Sequence, residues 1–390
     1  MEWHAGRCIS LRAGRARAGP YTRAVLDLPA PIRRALEGGG KDLTILVLRL
    51  GAMGDIARTL PPVRLIRAAL PEARIHWVAW KPWTALLENH PDLNGVIGLP
   101  RAMFRAGFKK PGDWPSLART TRALIREIRA LDAGLALDFH GDLRSGTLGL
   151  LSKAPVRIGY EGHQAKEGNR LFSTHRVPSG GRRTPRLERN LDIVRGLGLP
   201  DRPLPDAGMK IPEADAERAA ELARAFGTFA ILNPGASQRQ AYKKPPTPLL
   251  AAAARALAVH DIKPVIVYGP GEEGDAIGLA EACGPLAITA PPTPLMTLAA
   301  LFKHARLFVG GDSGPLHLAC GVGSPVVGIY GPTDPRVNTP WGVPFVIVSP
   351  PGRDYTGIKR IDRNAGGFNA IDGMRVESAV RSLVERITAA

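Results

Sequence analysis

The sequence predicts an α/β protein built from two doubly wound, Rossmann-like domains. A buried apolar run, a glycine turn and a helical pattern follow one another from Leu43, and the same succession restarts at Phe229. Between the two series, Pro200, Pro203, Pro205 and Pro212 crowd a stretch without periodicity, which reads as a linker. Strands alternating with helices imply parallel sheets, and ligands of such sheets gather at the turns leaving the carboxyl ends of the strands.

In chain order, residues 1–40 are Arg- and Gly-rich and end in Gly38-Gly-Gly40, so they are expected to form a basic, poorly ordered extension. Leu43 to Leu50 reads as a strand, Gly51-Ala-Met-Gly54 as a tight turn, Asp55 to Leu70 as a helix stopped by Pro71, and Arg74 to Ala79 as a second strand. Strands over Gly95 to Leu99, Leu135 to Phe139 and Arg157 to Gly159, with a helix over Trp114 to Ala130, continue the series. After the helix Glu213 to Phe226 come strands at Phe229 to Leu232, Lys263 to Tyr268, Leu286 to Thr289, Leu307 to Val309 and Val326 to Tyr330, then an amphipathic helix over Met374 to Ile387. The expected domains are therefore 41–205 and 206–390.

Composition narrows the partners. Across 390 residues, 52 Lys and Arg face 35 Asp and Glu, giving a net charge of +17 that calls for anionic partners. Aromatic content of 6% argues against a stacking surface for single-stranded nucleic acid, and no nucleic acid is expected. Cys8, Cys283 and Cys320 are too scattered for a disulfide framework or a CxxC metal site, which suits a reducing compartment. No apolar run reaches the ~18 residues of a membrane helix, and Arg7, Arg12, Arg15 and Arg17 interrupt the N-terminus, so a cytoplasmic protein with at most peripheral membrane attachment is expected.

Four turns carry chemistry. At the first, Asp55 follows Gly54 near a helix N-terminus; Asp there is a favoured cap, and an ionised Asp there can also accept a proton from a hydroxyl. Asn233-Pro-Gly-Ala-Ser237, with Lys243 and Lys244 beyond it, suits a diphosphate held by backbone N–H groups and an ammonium, or is a solvated loop; no GxxxxGK[ST] motif occurs. Gly269-Pro-Gly-Glu-Glu-Gly274 fits GxGxxG, but Pro270 sits inside it and no acid ends the next strand, which weakens a nicotinamide dehydrogenase; Glu272 or Glu273 could bond a ribose from the loop. The fourth, Gly311-Asp-Ser-Gly314, has Asp312 or Ser313 to cap a helix whose N-terminus would receive an anion, with His317 one turn in and Gly331-Pro-Thr-Asp-Pro335 downstream. Separately, Arg101, Arg105, Lys109 and Lys110, interleaved with Phe104 and Phe108, make a surface loop or a clamp for an acidic, partly apolar ligand.

Together, Leu48-Arg-Leu-Gly-Ala-Met-Gly-Asp-Ile56 with Thr59-Leu-Pro-Pro62, Pro234-Gly-Ala-Ser237 with Lys243, Asp312-Ser-Gly-Pro-Leu-His317 and Tyr330-Gly-Pro-Thr-Asp-Pro335 resemble the ADP-heptose:lipopolysaccharide heptosyltransferases, glycosyltransferase family 9. The resemblance runs over roughly residues 44–342 in the same order. It implies a GT-B fold, with the acceptor on the N-terminal domain, the nucleotide sugar on the C-terminal one and a cleft between.

The resemblance also assigns roles. Asp55 falls on the catalytic base, with Gly54 beside it in the acceptor site, and Lys243 falls on the donor-phosphate lysine. Ser237, Asp312, Ser313, Gly314 and His317 fall around the donor diphosphate, and Glu272 or Glu273 near its ribose. His140 and Arg144 lie in the polar loop of the acceptor domain. The family often places Trp-Pro after the lysine; Lys243-Lys-Pro-Pro246 departs from that and leaves Lys244 as a second candidate.

The expected enzyme inverts the donor sugar, needs no metal because lysine and helix N-terminus neutralise the leaving diphosphate, carries no cofactor, and works on an acidic lipopolysaccharide core at the anionic inner face of the inner membrane. The rivals are a same-fold transferase using another nucleotide sugar and a non-catalytic GT-B-like binder of acidic glycolipid or nucleic acid.

Overall fold

The computed structural model of the chain describes residues 25–100, 114–178, 180–200, 202–355 and 367–389. It divides into two compact units between Lys210 and Ile211, inside the Pro-rich stretch and a few residues past the predicted boundary.

The N-terminal unit contains α1 (Ala30–Glu37), β1 (Thr44–Leu48), α2 (Met53–Ala57), α3 (Leu60–Ala69), β2 (Arg74–Trp80), β3 (Gly95–Leu99), α4 (Trp114–Ala130), β4 (Leu135–Asp138), α5 (Leu143–Leu151), β5 (Val156–Tyr160), β6 (His175–Val177) and α6 (Arg186–Gly196). Its six strands pair in the order β3-β2-β1-β4-β5-β6, every pair parallel. β1 pairs with β2 on one side and β4 on the other, Val47 standing beside Trp77 and Leu137. All five β1 side chains are buried. A strand covered on both faces reads as a continuous apolar run, which is why Leu43 to Leu50 was legible.

The C-terminal unit contains α7 (Glu213–Phe226), β7 (Phe229–Asn233), α8 (Thr247–Ala258), β8 (Lys263–Ile266), α9 (Glu273–Cys283), β9 (Ile288–Thr289), α10 (Leu295–His304), β10 (Phe308–Gly311), α11 (Gly314–Gly321), β11 (Val326–Ile329), β12 (Phe345–Val348) and α12 (Gly373–Thr388). The sheet order is β12-β11-β10-β7-β8-β9. Counted from its own first strand, this is the same topology as the N-terminal sheet, with the direction of winding reversing between first and fourth strands. In each unit the crevice outside those two strands is the expected ligand position. The alanine-rich α8 is buried from Leu249 to Leu257 except at Arg255, and it joins Val376, Val380 and Leu383 of α12 in one core. Asp372 caps α12 by accepting from the amide of Met374 at 3.1 Å.

Three expectations are corrected. Residues 25–40 are no loose extension: α1 forms there, and Leu28 and Ile32 are buried, each side chain stabilising the unit by ~1.5–3 kcal/mol. The helix expected over Asp55 to Leu70 is two helices, because Pro61 and Pro62 lack the N–H groups that a continuous ladder needs and instead occupy the first turn of α3. The strand expected over Leu286 to Thr289 is reduced to Ile288–Thr289 by a 3-10 turn at Gly284–Leu286.

Candidate active site

In the C-terminal unit, Asp312 follows β10 and is buried among Lys243, Asn338 and His317. Lys243 Nζ lies 3.1 Å from one carboxylate oxygen, and Asn338 Nδ2 donates to the same oxygen at 2.9 Å. His317 Nε2 stands 3.5 Å from the other. Asn338 is itself fixed by its carbonyl, which accepts from the Tyr330 hydroxyl at 2.7 Å. Gly311 makes this arrangement possible, since a Cβ there would sit 2.6 Å from the carbonyl oxygen of Lys243 and 2.9 Å from Pro245 Cδ.

The neighbouring helix α11 begins without a side-chain cap. Ser313 stands at its N-cap position but makes no bond to the helix, and its hydroxyl is buried without a hydrogen-bond partner among the described residues. A buried hydroxyl beside the amides of a first helical turn, with a lysine held a short distance away, is a ready anion site.

Sequence left two lysines and two glutamates open, and the structure separates them. Lys243 turns to Asp312, whereas Lys244 pairs with Asp275 on α9, both partly exposed. Glu272 folds inward: its carboxylate accepts from the Gly269 amide at 2.9 Å and fills the space beside Gly235 that any larger residue would need. The loops after β7 and β8 thus meet at Glu272. Glu273 is exposed and accepts from the Gly271 amide at 3.3 Å. Ser237 is exposed at the start of a 3-10 turn and caps nothing.

In the N-terminal unit, the turn after β1 places Asp55 in the first turn of α2, beside the buried Gly54. Three guanidinium groups surround its carboxylate: Arg49 at 2.9 Å, Arg58 at 2.7 Å and Arg186 at 3.2 Å. Burial pushes the Asp55 carboxyl up, but Arg49, Arg186 and Arg58 outweigh it and hold it well below the usual carboxylate range. Asp55 is therefore ionised at neutral pH. Arg49 also donates to the Phe139 carbonyl at the end of β4, and the Thr59 hydroxyl donates to the Asp55 carbonyl at 2.8 Å. Asn190 of α6 locks the second layer, donating to the Arg58 carbonyl and the Thr59 hydroxyl at 3.1 Å each and accepting from the Tyr160 hydroxyl at 3.0 Å.

The polar loop after β4 is a tight hydrogen-bonded network. Asp138 accepts from the amides of His140 and Gly141, the Ser145 hydroxyl and Asn169 Nδ2, and burial pushes its carboxyl pKa up despite these donors. Asp142 caps α5 through the Ser145 amide and pairs with His140 at 3.2 Å and Arg144 at 2.5 Å. Burial acts upward on Asp142 too, but the His140 bond and charge with the other donors drive it far down. Arg144 stays largely exposed, its guanidinium 5.8 Å from the Trp80 ring centroid at the end of β2.

Asp55, Gly54, His140 and Arg144 thus gather at the carboxyl ends of adjacent strands in one unit, and Lys243, Glu272, Asp312, Ser313, Gly314 and His317 do so in the other. Arg101, Arg105, Lys109 and Lys110 lie outside the described residues. Sequence reasoning missed Arg49, Arg58 and Arg186. The first two had a signal, a basic residue on either side of an acid in the first turn; Arg186 had none.

Two parallel sheets of one topology, each with polar loops at its point of reversal, give the chain a GT-B-type architecture. The fold matches a family 9 glycosyl transferase from Veillonella parvula with a TM-score of 0.72 at 22% identity, over 89% of this chain and 98% of that one. It matches the ADP-heptose LPS heptosyltransferase II of E. coli at 0.67 and 18%, over 88% and 99%. In sequence, the lipopolysaccharide heptosyltransferase 3 of Escherichia coli is 26% identical over 296 residues, 74% of this chain and 83% of that protein. Residues 121–363 match the model of glycosyltransferase family 9 (heptosyltransferase), and the chain belongs to that family.

Proposed function

We propose that this protein transfers a heptose, with inversion, from an ADP-sugar to an acidic inner-core acceptor of lipopolysaccharide. The observation that carries this reading is the pairing of Lys243 with Asp312 beside a helix N-terminus whose buried Ser313 hydroxyl is unengaged, an arrangement suited to a diphosphate. The named relatives supply the sugar and the acceptor class.

In the reaction, Asp55 takes the proton of the acceptor hydroxyl while that oxygen forms a bond to the anomeric carbon. The bond from that carbon to the diphosphate breaks on the opposite face, and the electron pair leaves with ADP. Lys243 and the amides around Ser313 and Gly314 stabilise the charge that develops on the leaving phosphate, so the chemistry runs without a metal. In this reading Glu272 bonds the donor ribose, with Ser237, Lys244 and Glu273 at the rim of the same loops. His140, Arg144 and Gly54 serve the acceptor. No helix of the described residues is long and apolar enough to cross a membrane, and the net charge of +17 suits attraction to the anionic cytoplasmic face of the inner membrane.

Calorimetric titration with ADP, UDP and GDP, followed by transfer assays from ADP-heptose to truncated core acceptors, tests the reading. Tightest binding of ADP and transfer that survives EDTA are expected. Preference for another nucleotide, or loss of transfer in EDTA with rescue by magnesium or manganese, overturns the donor or the metal-free step respectively.

A further inference from the structure

The charge around Asp55 does not balance. Arg49, Arg58 and Arg186 all reach one carboxylate, and Arg189 follows one turn along α6 from Arg186. Asp192 and Tyr160 face Arg189, Asp138 faces Tyr160 from the end of β4, and His163 faces Arg189 and Arg182. Asp192 pairs with Arg195 at 3.3 Å, and the Tyr160 hydroxyl is spent on Asn190. Arg189 donates to the Arg182 carbonyl at 2.7 Å, a neutral partner. Burial first, and then the neighbouring Arg186 and Arg58 charges, lower Arg189 to about 10, as expected where cations outnumber anions.

The three arginines on Asp55 are not equivalent. Arg49 is 10% exposed and also tied to the Phe139 carbonyl, and Arg58 is 7% exposed and sits on the same short helix as Asp55. Arg186 is 35% exposed, makes the longest of the three contacts, and keeps a buried Nε without a hydrogen-bond partner among the described residues. It is therefore the arginine that solvent reaches and that least holds to its carboxylate.

We propose that Arg186 is shared between Asp55 and the acceptor: an anionic group of the acceptor, carboxylate or phosphate, draws Arg186 away, with Arg189 beside it, and so frees Asp55 to take the hydroxyl proton. This rests on the reading of Asp55 as the base. A carboxylate held by three guanidinium groups is a poor proton acceptor, and removing one of them restores basicity at the moment the substrate is in place. Acceptor charge then acts on turnover and not only on affinity. A neutral acceptor leaves the base restrained.

The test compares wild type, Arg186→Gln and Arg186→Lys on an acidic acceptor, its carboxyl-esterified form and its dephosphorylated form. Wild type is expected to favour the acidic acceptor in kcat as well as in kcat/KM, and the form whose loss removes that preference identifies the anion. In Arg186→Gln the acidic-over-neutral ratio should fall by about tenfold or more, with KM for the acidic acceptor raised and kcat on the neutral one kept or increased. The acid limb of its pH–rate profile should move up toward the ordinary carboxylate range, and Arg186→Lys should lie between. Inorganic phosphate should compete with the acidic acceptor in wild type and not in Arg186→Gln. Equal losses on all acceptors with an unmoved pH profile in both variants overturn the proposal. Asp55→Asn separates the two levels: if it retains turnover, the base reading fails; if it is inactive while Arg186→Gln keeps full discrimination, only the Arg186 proposal fails.

Discussion

Asp55 and Arg186 are 131 residues apart in the chain and 3.2 Å apart in the fold. The contact depends on α6 being pinned to the end of α2 by Asn190, which bonds the Arg58 carbonyl and the Thr59 hydroxyl from one side chain. Beside Arg49 and Arg58 of the first βα unit, the charge state of the proposed base thus also depends on a helix late in the N-terminal unit.

Asp55→Asn should lower turnover by ~10² or more while ADP affinity stays nearly unchanged, because a general base acts on the acceptor hydroxyl and not on the donor. Steady-state kinetics with calorimetric titration of ADP checks this. Weakened ADP binding with normal turnover would make Asp55 a cap or a donor ligand.

Acidification should leave the Asp55 cluster intact until low pH. Its folded value is depressed, so the ion pairs contribute stability that is fully present above the unfolded value of about 3.9 and is lost as pH falls through the folded one. Urea denaturation of wild type and Asp55→Asn at a series of pH values should show a constant gap from pH ~8 to ~5 that narrows only below the ordinary carboxylate range. A gap that closes near neutrality would contradict the arginine cage.

The two lysines should separate cleanly. Lys243→Ala should reduce kcat/KM for the donor by ~10² and weaken ADP, since it removes the ammonium fixed by Asp312 at the anion site. Lys244→Ala, which breaks a partly exposed pair with Asp275, should change stability by no more than ~1 kcal/mol and leave donor kinetics within a few-fold. Reversed results would move the phosphate role to Lys244.

Gly311→Ala should be costly where most exposed glycine changes are not. The added methyl meets the Lys243 carbonyl and the Pro245 ring, so either the loop carrying Lys243 shifts or the strand end does. A loss of about 1–3 kcal/mol by thermal or urea unfolding is expected, with ADP affinity reduced beyond that of a distant variant of equal stability. Unchanged ADP binding would show that the position of Lys243 is not set at Gly311.

Much of this was readable from residue order. Buried parallel strands are continuous apolar runs, so β1, β7, β10 and β11 stood out, and the glycine turns after β1 and β10 marked where ligands belong. Where sequence reading failed, a local rule was masked by a stronger pattern. The apolar period of Asp55 to Leu70 hid a break that Pro61 and Pro62 impose, and the Arg/Gly bias of residues 1–40 hid the buried Leu28 and Ile32.

The chain alone determined the two Rossmann-like domains, the family likeness, and the residue types at each turn, because these rest on periodicity and on short contiguous motifs. Only tertiary structure decided which of two adjacent lysines faces Asp312, that Glu272 and not Glu273 turns inward, and that Asp55 sits among three arginines. Those outcomes depend on which strand ends and helices the sheet order brings side by side, and on Coulomb interactions between side chains far apart in sequence, neither of which any local pattern encodes.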